Sequence, residues 1–385
     1  MKVALVHDWL VTYAGAERVL EQMLEVYPDA NVFSLIEFVP PAERAFLGGR
    51  RVHTSFLQRI PGIRRGYRRF LPLMPIAVER LDVSGYDLVL SSSHAVAKGV
   101  LTRPDQLHIC YCYTPMRYAW DLQHQYLRET GLDRGIKGAL ARRMLSRVRA
   151  WDLRTSNGVD SFIAISEFIA QRVWNAYQRE ATIIYPPVDT EAFSPGAHRE
   201  DFYVTASRMV PYKRMDLIVE AFAAMPERRL VVIGDGPEAP KIHSKGAANV
   251  EFLGQQPFEV LRDRLRRARA FIFAAEEDFG IAPLEAQACG TPVIAYGKGG
   301  ILDTIRPIGE PDPTGIFFQE QNAGALVEAV ERFEREGSQI DPKACRQNAL
   351  RFTPERFRTE LREFVEAQIR RRMLRPEVSR VEEAV

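Results

Sequence analysis

The chain has 385 residues, too many for one ordinary core and about right for two α/β domains of typical size. Apolar residues make up 46%, enough to bury two cores, and a formal charge of only +2 argues against a whole-surface nucleic-acid binder. Any electrostatic specialisation must therefore be local.

Cys110, Cys112, Cys289 and Cys345 show no paired C-x-x-C spacing of a zinc or redox site, so buried, reduced thiols of a cytoplasmic protein are expected. The first seven residues turn polar too soon for a signal peptide. No apolar run approaches the roughly 18 residues of a membrane span, which leaves a soluble or peripheral protein.

In chain order, residues 3–6 read as a buried strand, a turn-prone stretch runs to Gly15, and 16–25 form an amphipathic helix. That is the β-loop-α unit that opens a parallel sheet. Further strands are predicted at 31–35, 88–91, 109–112 and 161–165, mostly separated by helical patterns, so the first half reads as a doubly wound domain. Prolines 186, 187 and 195 mark a linker. A second alternation follows, with strands at 202–205, 230–233, 250–253, 270–273 and 292–295 and helices at about 216–225, 258–267, 283–289 and 322–336. The tail from 354 to about 373 is helical and charged, and the last ten residues look frayed. The predicted domains are 1–190 and 191–353, with 354–385 as a helix and tail.

Positive charge concentrates twice. Residues 56–71 interleave Arg59, Arg64, Arg65, Arg68 and Arg69 with Phe, Ile, Tyr and Leu. Both readings stay open here: a solvated face over the core, or a surface docking on anionic lipid, where each basic residue adds about 1 kcal/mol. Lys137, Arg142, Arg143, Arg147 and Arg149 fall at helical spacings and read as a solvated helix face. Trp120, Trp151 and Trp174 are expected in the core.

The most specific stretch is Glu277-Asp-Phe-Gly-Ile-Ala-Pro-Leu-Glu285, between a strand and an apolar helical run. Amides around Phe279 and Gly280 at such a helix start suit an anion, and Gly280 admits a phosphate without a Cβ in the way. Glu285 can accept hydrogen bonds from a vicinal diol such as a ribose. Taken alone, the two glutamates are ordinary acids at a helix start. Ser207-Arg-Met-Val-Pro-Tyr-Lys213 follows another strand, and Arg208 with Lys213 can neutralise a diphosphate. Gly299-Gly300 adds a close turn. Each feature is weak by itself, but all fall at successive strand ends, where open α/β sheets bind ligands. His7 and Asp8 follow the first strand and so are also placed to face a ligand.

The order Arg208…Lys213, Gly234-Asp-Gly-Pro-Glu238, Glu277…Glu285, Gly290-Thr-Pro-Val-Ile294 and Gly299-Gly300 resembles glycosyltransferase family four. The stretches Val6-His-Asp-Trp-Leu10, Gly15-Ala-Glu-Arg-Val19, Ser91-Ser-Ser-His94 and Tyr113-Thr-Pro-Met-Arg-Tyr-Ala-Trp-Asp121 resemble its mannosyltransferase-like branch, which builds bacterial surface polysaccharides.

The resemblance implies the GT-B fold: two Rossmann-like domains facing across a cleft, with the C-terminal helix packing back on the N-terminal domain. It implies a retaining hexosyltransferase that moves mannose from GDP-mannose to a lipid-linked glycan, with a UDP-sugar transferase or a catalytically silent scaffold as alternatives. Arg208 and Lys213 would hold the diphosphate, and the Phe279 and Gly280 amides, with Ile281 beside them, would cap a phosphate. Glu285 would take the ribose and Glu277 the sugar hydroxyls, while the loop at Gly15 closes over the phosphates. Leu253 and Gly254 would lie beside the base. His7, Asp8, His94, Tyr113 and Arg117 are candidates for sugar or acceptor contacts. Relatives commonly carry His where this chain has Tyr113, and His94 is a weak substitute for it. Front-face attack needs no protein nucleophile, no Asp-x-Asp triplet occurs, and no metal or cofactor is expected. The partners implied are the nucleotide sugar and a glycan or lipid-linked acceptor, for a cytoplasmic protein; an anionic surface on the inner face of the plasma membrane is the further partner that the open reading of residues 56–71 offers.

Overall fold

The computed structural model describes residues 1–120, 123, 127, 128, 134–196 and 198–374. Asp121 and the last ten residues, both named above, lie outside the described residues. Packing divides the chain into two units. The first comprises Met1–Ile165, Ile169–Tyr185 and the chain from Phe357; the second comprises Ser166–Phe168 and Pro186–Arg356. The division thus falls at Tyr185/Pro186 where the sequence suggests 190/191, and the C-terminal helix belongs to the first unit.

The first unit is built on β1 (Val3–His7), β2 (Asn31–Ser34), β3 (Val52–Thr54), β4 (Leu88–Ser93), β5 (Leu107–Cys112), β6 (Ser161–Ala164) and β7 (Ala181–Ile183). They pair in parallel in the order β3-β2-β1-β4-β5-β6-β7. The second unit carries β8 (Tyr203–Ala206), β9 (Leu230–Ile233), β10 (Val250–Gly254), β11 (Phe271–Phe273), β12 (Val293–Tyr296) and β13 (Gly315–Phe318). Their order is β10-β9-β8-β11-β12-β13, again parallel. Both are doubly wound Rossmann-like sheets, and each reverses its strand order once, between β1 and β4 and between β8 and β11. At such a reversal the connections leave on opposite faces and open a crevice at the strands' carboxyl ends.

Alternation along the strands explains why these runs are apolar throughout. Tyr203, Leu230, Val232 and Ile272 pack into the core on one side of the second sheet. Val204, Val231, Ile233, Phe271 and Phe273 pack into the core on the other. A parallel sheet covered on both faces needs apolar side chains at both parities. β3, β7 and β13 escape the sequence pattern, and all three are edge strands of three or four residues. Such short runs give too few positions for a period to register.

In the first unit, the helix Gly15–Val26 buries Val19, Leu20, Met23 and Leu24 as one stripe. The C-terminal helix Pro354–Met373 buries Phe357, Leu361 and Val365 at every fourth position. Phe357 packs edge-on against Tyr111, and Arg372 reaches Asp160 at 3.3 Å, so this helix closes the first unit. Trp151 is buried and Trp120 half-buried, but Trp174 is 45% exposed and does not belong to the core. The helix Gly135–Ser156 turns Lys137, Arg142, Arg143 and Arg147 to solvent and buries Ala141, Leu145 and Val148. All four cysteines are buried and none is in a disulfide. Among the described residues, no helix is long and apolar enough to cross a membrane.

Candidate active site

In the second unit, the loop after β8 carries Arg208 and Lys213. Backbone bonds lash it to the loop after β9: Ser207 N–H to Ile233 O at 3.0 Å, Met209 N–H to Asp235 O at 2.9 Å and Glu238 N–H to Met209 O at 3.1 Å. The two loops lie so close that a Cβ on Gly234 would stand 1.9 Å from the Ser207 carbonyl oxygen. Arg208 is exposed at the strand's end. Lys213 ends a short turn, Pro211–Lys213, and Arg214 follows in the left-handed region at φ 53°. Arg214 donates to Gln321 at 3.0 Å, and Gln321 donates on to Ala274 O at 2.8 Å. This brace ties the β8 loop to the end of β11, and nothing local in the sequence signals it.

Glu277 follows β11. Its side chain forms an ion pair with the Lys213 ammonium, each side chain being less than one-fifth exposed. Glu277 also bridges in parallel to Gly299, and Gly300 N–H donates to Glu277 O at 2.7 Å. The glycine pair thereby fixes the height of the Glu277 loop. Ser166 braces it further by donating to Asp278 O at 2.5 Å. Gly280 caps the helix Ile281–Ala288 at φ 99°, a conformation L side chains rarely adopt, and an added Cβ would lie 3.1 Å from Ile301 Cδ1. First-turn amides of such a helix lack intrahelical acceptors and carry the positive end of its dipole. Phe279 is buried against Phe352, Glu285 is 8% exposed within the early turns, and Ile281 is half-buried at the helix start.

Leu253 and Gly254 end β10 and are half-buried, and Gly254 O accepts Gly234 N–H at 2.8 Å. The structure therefore brings the Arg208–Lys213 loop, the Gly234 loop, Gly254 and the Glu277–Glu285 segment to one edge of one sheet. Among the described residues, no group of three or more His, Cys, Asp or Glu side chains is arranged to hold a metal ion.

The first unit gathers the other candidates at the ends of β1 and β4. Asp8 is fully buried, and its carboxylate accepts main-chain N–H groups from His94 at 2.6 Å, Ala95 at 3.0 Å, Val96 at 2.6 Å and Ala97 at 2.7 Å. Its Oδ2 also stands 3.0 Å from His94 Nδ1. The ligand-facing position expected of Asp8 is thus corrected: four amides and an imidazole occupy it. His7 is buried too, with Nδ1 2.9 Å from Ser92 Oγ and Nε2 3.7 Å from Glu17 Oε1. Glu17 accepts Ala14 N–H at 3.0 Å and so closes the start of the Gly15 helix. Desolvation pushes the Glu17 carboxyl up, but the neighbouring His7 imidazole and the amides at the helix start outweigh it, and its pKa is lowered.

Tyr113 donates to Ala16 O at 3.0 Å and lies 2.9 Å from Ser92 Oγ. Burial pushes its phenol well above the ordinary range. Because Tyr113 donates to a carbonyl, it accepts from Ser92, and Ser92 in turn accepts from His7 Nδ1. Tyr113, expected as a sugar contact, therefore anchors the turn at Gly15 and Ala16. Glu17, which the sequence leaves open between a first-turn helix acid and an acceptor contact, is here tied to the helix start, and Ser92 is a member of the network that the sequence does not single out. Arg117 is half-buried beyond β5.

Two doubly wound units of this kind, each with its polar side chains at the strand-order reversal, define the GT-B glycosyltransferase fold. HepE of Anabaena, solved with UDP, superposes with a TM-score of 0.68 at 16% identity over 95% of this chain and 100% of that one. Sucrose-phosphate synthase of Thermosynechococcus elongatus gives 0.71 at 17% identity over 96% of this chain and 100% of that one. A family model described as glycosyl transferases group 1 matches residues 188–352, and one described as glycosyltransferase family 4 matches residues 13–192. The chain belongs to glycosyltransferase family 4. A GDP-mannose-dependent monoacylated alpha-(1-6)-phosphatidylinositol monomannoside mannosyltransferase of Corynebacterium glutamicum is 31% identical over 204 residues, 45% of this chain and 52% of the relative. A D-inositol 3-phosphate glycosyltransferase of Kribbella flavida is 34% identical over 163 residues, 34% of this chain and 38% of the relative. The matched stretches thus span about half of the first relative and little over a third of the second.

Proposed function

We propose that this chain is a retaining, metal-independent hexosyltransferase that moves mannose from GDP-mannose to a lipid-linked glycan. The observation that carries this reading is the convergence of Arg208, Lys213, Glu277, Gly280 and Glu285 on one sheet edge, with Lys213 and Glu277 in direct contact. Arg208 and Lys213 offset the charge of a departing diphosphate, and the helix start at Gly280 takes a phosphate oxygen. Glu285 holds the ribose diol, and Glu277 holds a hydroxyl of the transferred sugar. Leu253 and Gly254 lie beside the base. In the transfer step the bond from the anomeric carbon to the phosphate oxygen breaks, and the bond to the acceptor oxygen forms on the same face. The acceptor proton passes to the leaving diphosphate, so no protein nucleophile or resident cofactor takes part. The Corynebacterium relative supports mannose as the transferred sugar.

A thermal-shift panel of GDP, UDP, ADP and their sugar conjugates tests the donor, since a ligand that binds the folded state raises the midpoint by mass action. The largest rise is expected from GDP-mannose. A second reading, a UDP-sugar donor, is favoured by the HepE structure with UDP and predicts the largest rise from a UDP conjugate. No rise from any of them would sink both readings.

The acceptor side involves the segment at 56–71. Arg59, Arg64, Arg65, Arg68 and Arg69 are exposed there, together with Phe56, Leu73 and Ile76 nearby. We infer peripheral docking on an anionic membrane through this face. Vesicles containing phosphatidylglycerol should bind the chain, and Arg64→Glu, Arg65→Glu and Arg69→Glu together should weaken that binding. Equal binding by both proteins removes the membrane from the reading.

A further inference from the structure

Among the described residues, Gln178, Arg214 and Asp312 are the non-glycine positions with positive φ. Two of them have an ordinary reason. Gln178 follows the last residue of the helix Glu167–Tyr177, where the left-handed region is a common way to stop. Asp312 lies in a bend between Pro311 and Pro313, and Asp enters this region more readily than most residues. Arg214 has neither reason. It immediately precedes the helix Met215–Ala223, a place that normally takes extended backbone, yet it stands at φ 53° and ψ 35°. Such strain persists only where surrounding contacts over-determine it.

Those contacts begin in the main chain. Arg214 N–H donates to Pro211 O at 3.2 Å, and Arg214 O accepts Leu217 N–H at 3.2 Å, so one residue closes the Pro211–Lys213 turn and opens the helix. The side chain supplies the rest. One arm of the guanidinium donates to Gln321 at 3.0 Å, and Nε donates to Asp216 Oδ1 at 3.4 Å. Gln321 comes from beyond the edge strand β13, two strands away from β11, and donates to Ala274 O at 2.8 Å. An amide suits this place because it accepts from a guanidinium on one side and donates to a carbonyl on the other. Glutamate could do only the first, and lysine only the second. The link thus joins the neighbour of Lys213 to Ala274, three residues before Glu277. Lys213 and Glu277 are the two ends of the ion pair at the same strand-order reversal.

We propose that Arg214 and Gln321 are positioning residues of the donor site, which hold the backbone of Lys213 in register with the end of β11 so that a diphosphate meets a cation already in place. This rests on the function proposed above, and neither residue touches the ligand. A lysine is a point charge on a flexible stem, so fixing its backbone reduces what binding must order.

The test is nucleotide affinity by calorimetric titration, using whichever of GDP and UDP raises the thermal midpoint of the unaltered chain the more. Gln321→Met keeps the length of the side chain and alters no charge, so it removes the link alone. It should weaken nucleotide binding by about 3- to 30-fold, the range for residues that act on a site without touching its ligand. Arg214→Gly, whose backbone adopts this φ freely, should weaken binding to a similar extent. In a Lys213→Ala background, Gln321→Met should change the affinity by no more than about 2-fold, because the residue it positions is gone. A role in stability alone would lower the midpoint of Gln321→Met and leave the affinity of the folded protein untouched. Affinity equal to that of the unaltered chain, or an undiminished loss in the Lys213→Ala background, overturns the proposal. A loss in Arg214→Gly without one in Gln321→Met also overturns it, since the guanidinium would then act on the ligand directly. If the unaltered chain binds neither nucleotide, the donor reading falls and takes the proposal with it, so the two failures are distinguishable.

Discussion

Lys213 and Glu277 form an ion pair across the reversal point of the second sheet, Lys213 from the loop after β8 and Glu277 from the loop after β11. Both side chains are partly shielded from water, so the pair is stronger than an exposed one but keeps a route to a ligand. An arriving diphosphate would share the ammonium with the carboxylate, and the carboxylate would then turn part of its acceptor capacity to a sugar hydroxyl. On the function proposed above, the pair would couple phosphate binding to sugar binding.

From that coupling, Lys213→Ala and Glu277→Ala should differ in kind. Lys213→Ala should weaken GDP binding by roughly 10- to 100-fold, the worth of a charge-assisted hydrogen bond of about 1.5–3 kcal/mol. Glu277→Ala should leave GDP affinity within a few-fold, because GDP lacks the transferred hexose that Glu277 is proposed to hold, while transfer falls by at least about 10-fold. Calorimetric titration with GDP and steady-state transfer rates read the two effects. Unchanged transfer in Glu277→Ala would remove that residue from the reaction.

The glycines at the strand ends should rank by what a side chain would strike. Gly234, at φ 128°, faces the Ser207 carbonyl at 1.9 Å, whereas Gly254, at φ 67°, has nothing within 4 Å of an added Cβ. Gly254→Ala should therefore cost only the left-handed strain of about 1–2 kcal/mol. Gly234→Ala should cost more than that, because two loops must part. Gly280→Ala should fall between them, since its obstacle is the far end of Ile301, and it should also weaken nucleotide binding. Urea unfolding followed by far-UV circular dichroism gives the order. A Gly234→Ala variant as stable as Gly254→Ala would contradict the close packing of the two loops.

Much of this was legible in the sequence because it is local. The β-loop-α rhythm shows in apolar runs and turn residues, and the Glu277–Glu285 segment carries its strand, loop and helix start within a dozen positions or so. What was hidden is long-range. Nothing near Asp8 announces that residues 94–97 will fold over it, so a buried brace looked like a ligand contact. Tyr113 stands where the family resemblance implies histidine, but its partner Ala16 belongs to another element. Its role follows from a tertiary hydrogen bond that no periodicity encodes. The Arg214–Gln321–Ala274 brace is hidden for the same reason.

His108 in β5 gives a pH dependence with a definite sign. Its Nδ1–H donates to Gly158 O at 3.1 Å and its Nε2 accepts from Ser91 Oγ at 2.8 Å, so the neutral ring is satisfied at both nitrogens. Burial lowers its pKa from 6.5 to about 4, and the Gly158 carbonyl opposes that shift only in part. Between those two values the unfolded chain takes up a proton that the folded chain refuses. The stabilisation from this residue is therefore complete above about pH 6.5 and is lost as the pH falls toward 4. The loss is on the order of 3 kcal/mol in total, about 1.4 kcal/mol per pH unit for one proton. All four tryptophans, Trp9, Trp120, Trp151 and Trp174, lie in the first unit, so tryptophan fluorescence follows its unfolding alone. Urea midpoints taken from pH 7 down to pH 4.5 should fall steadily in the unaltered chain. In His108→Gln the same series should lie lower at pH 7 and lose one proton's worth of slope. An identical slope in the two proteins would mean that another group carries the acid sensitivity of this unit.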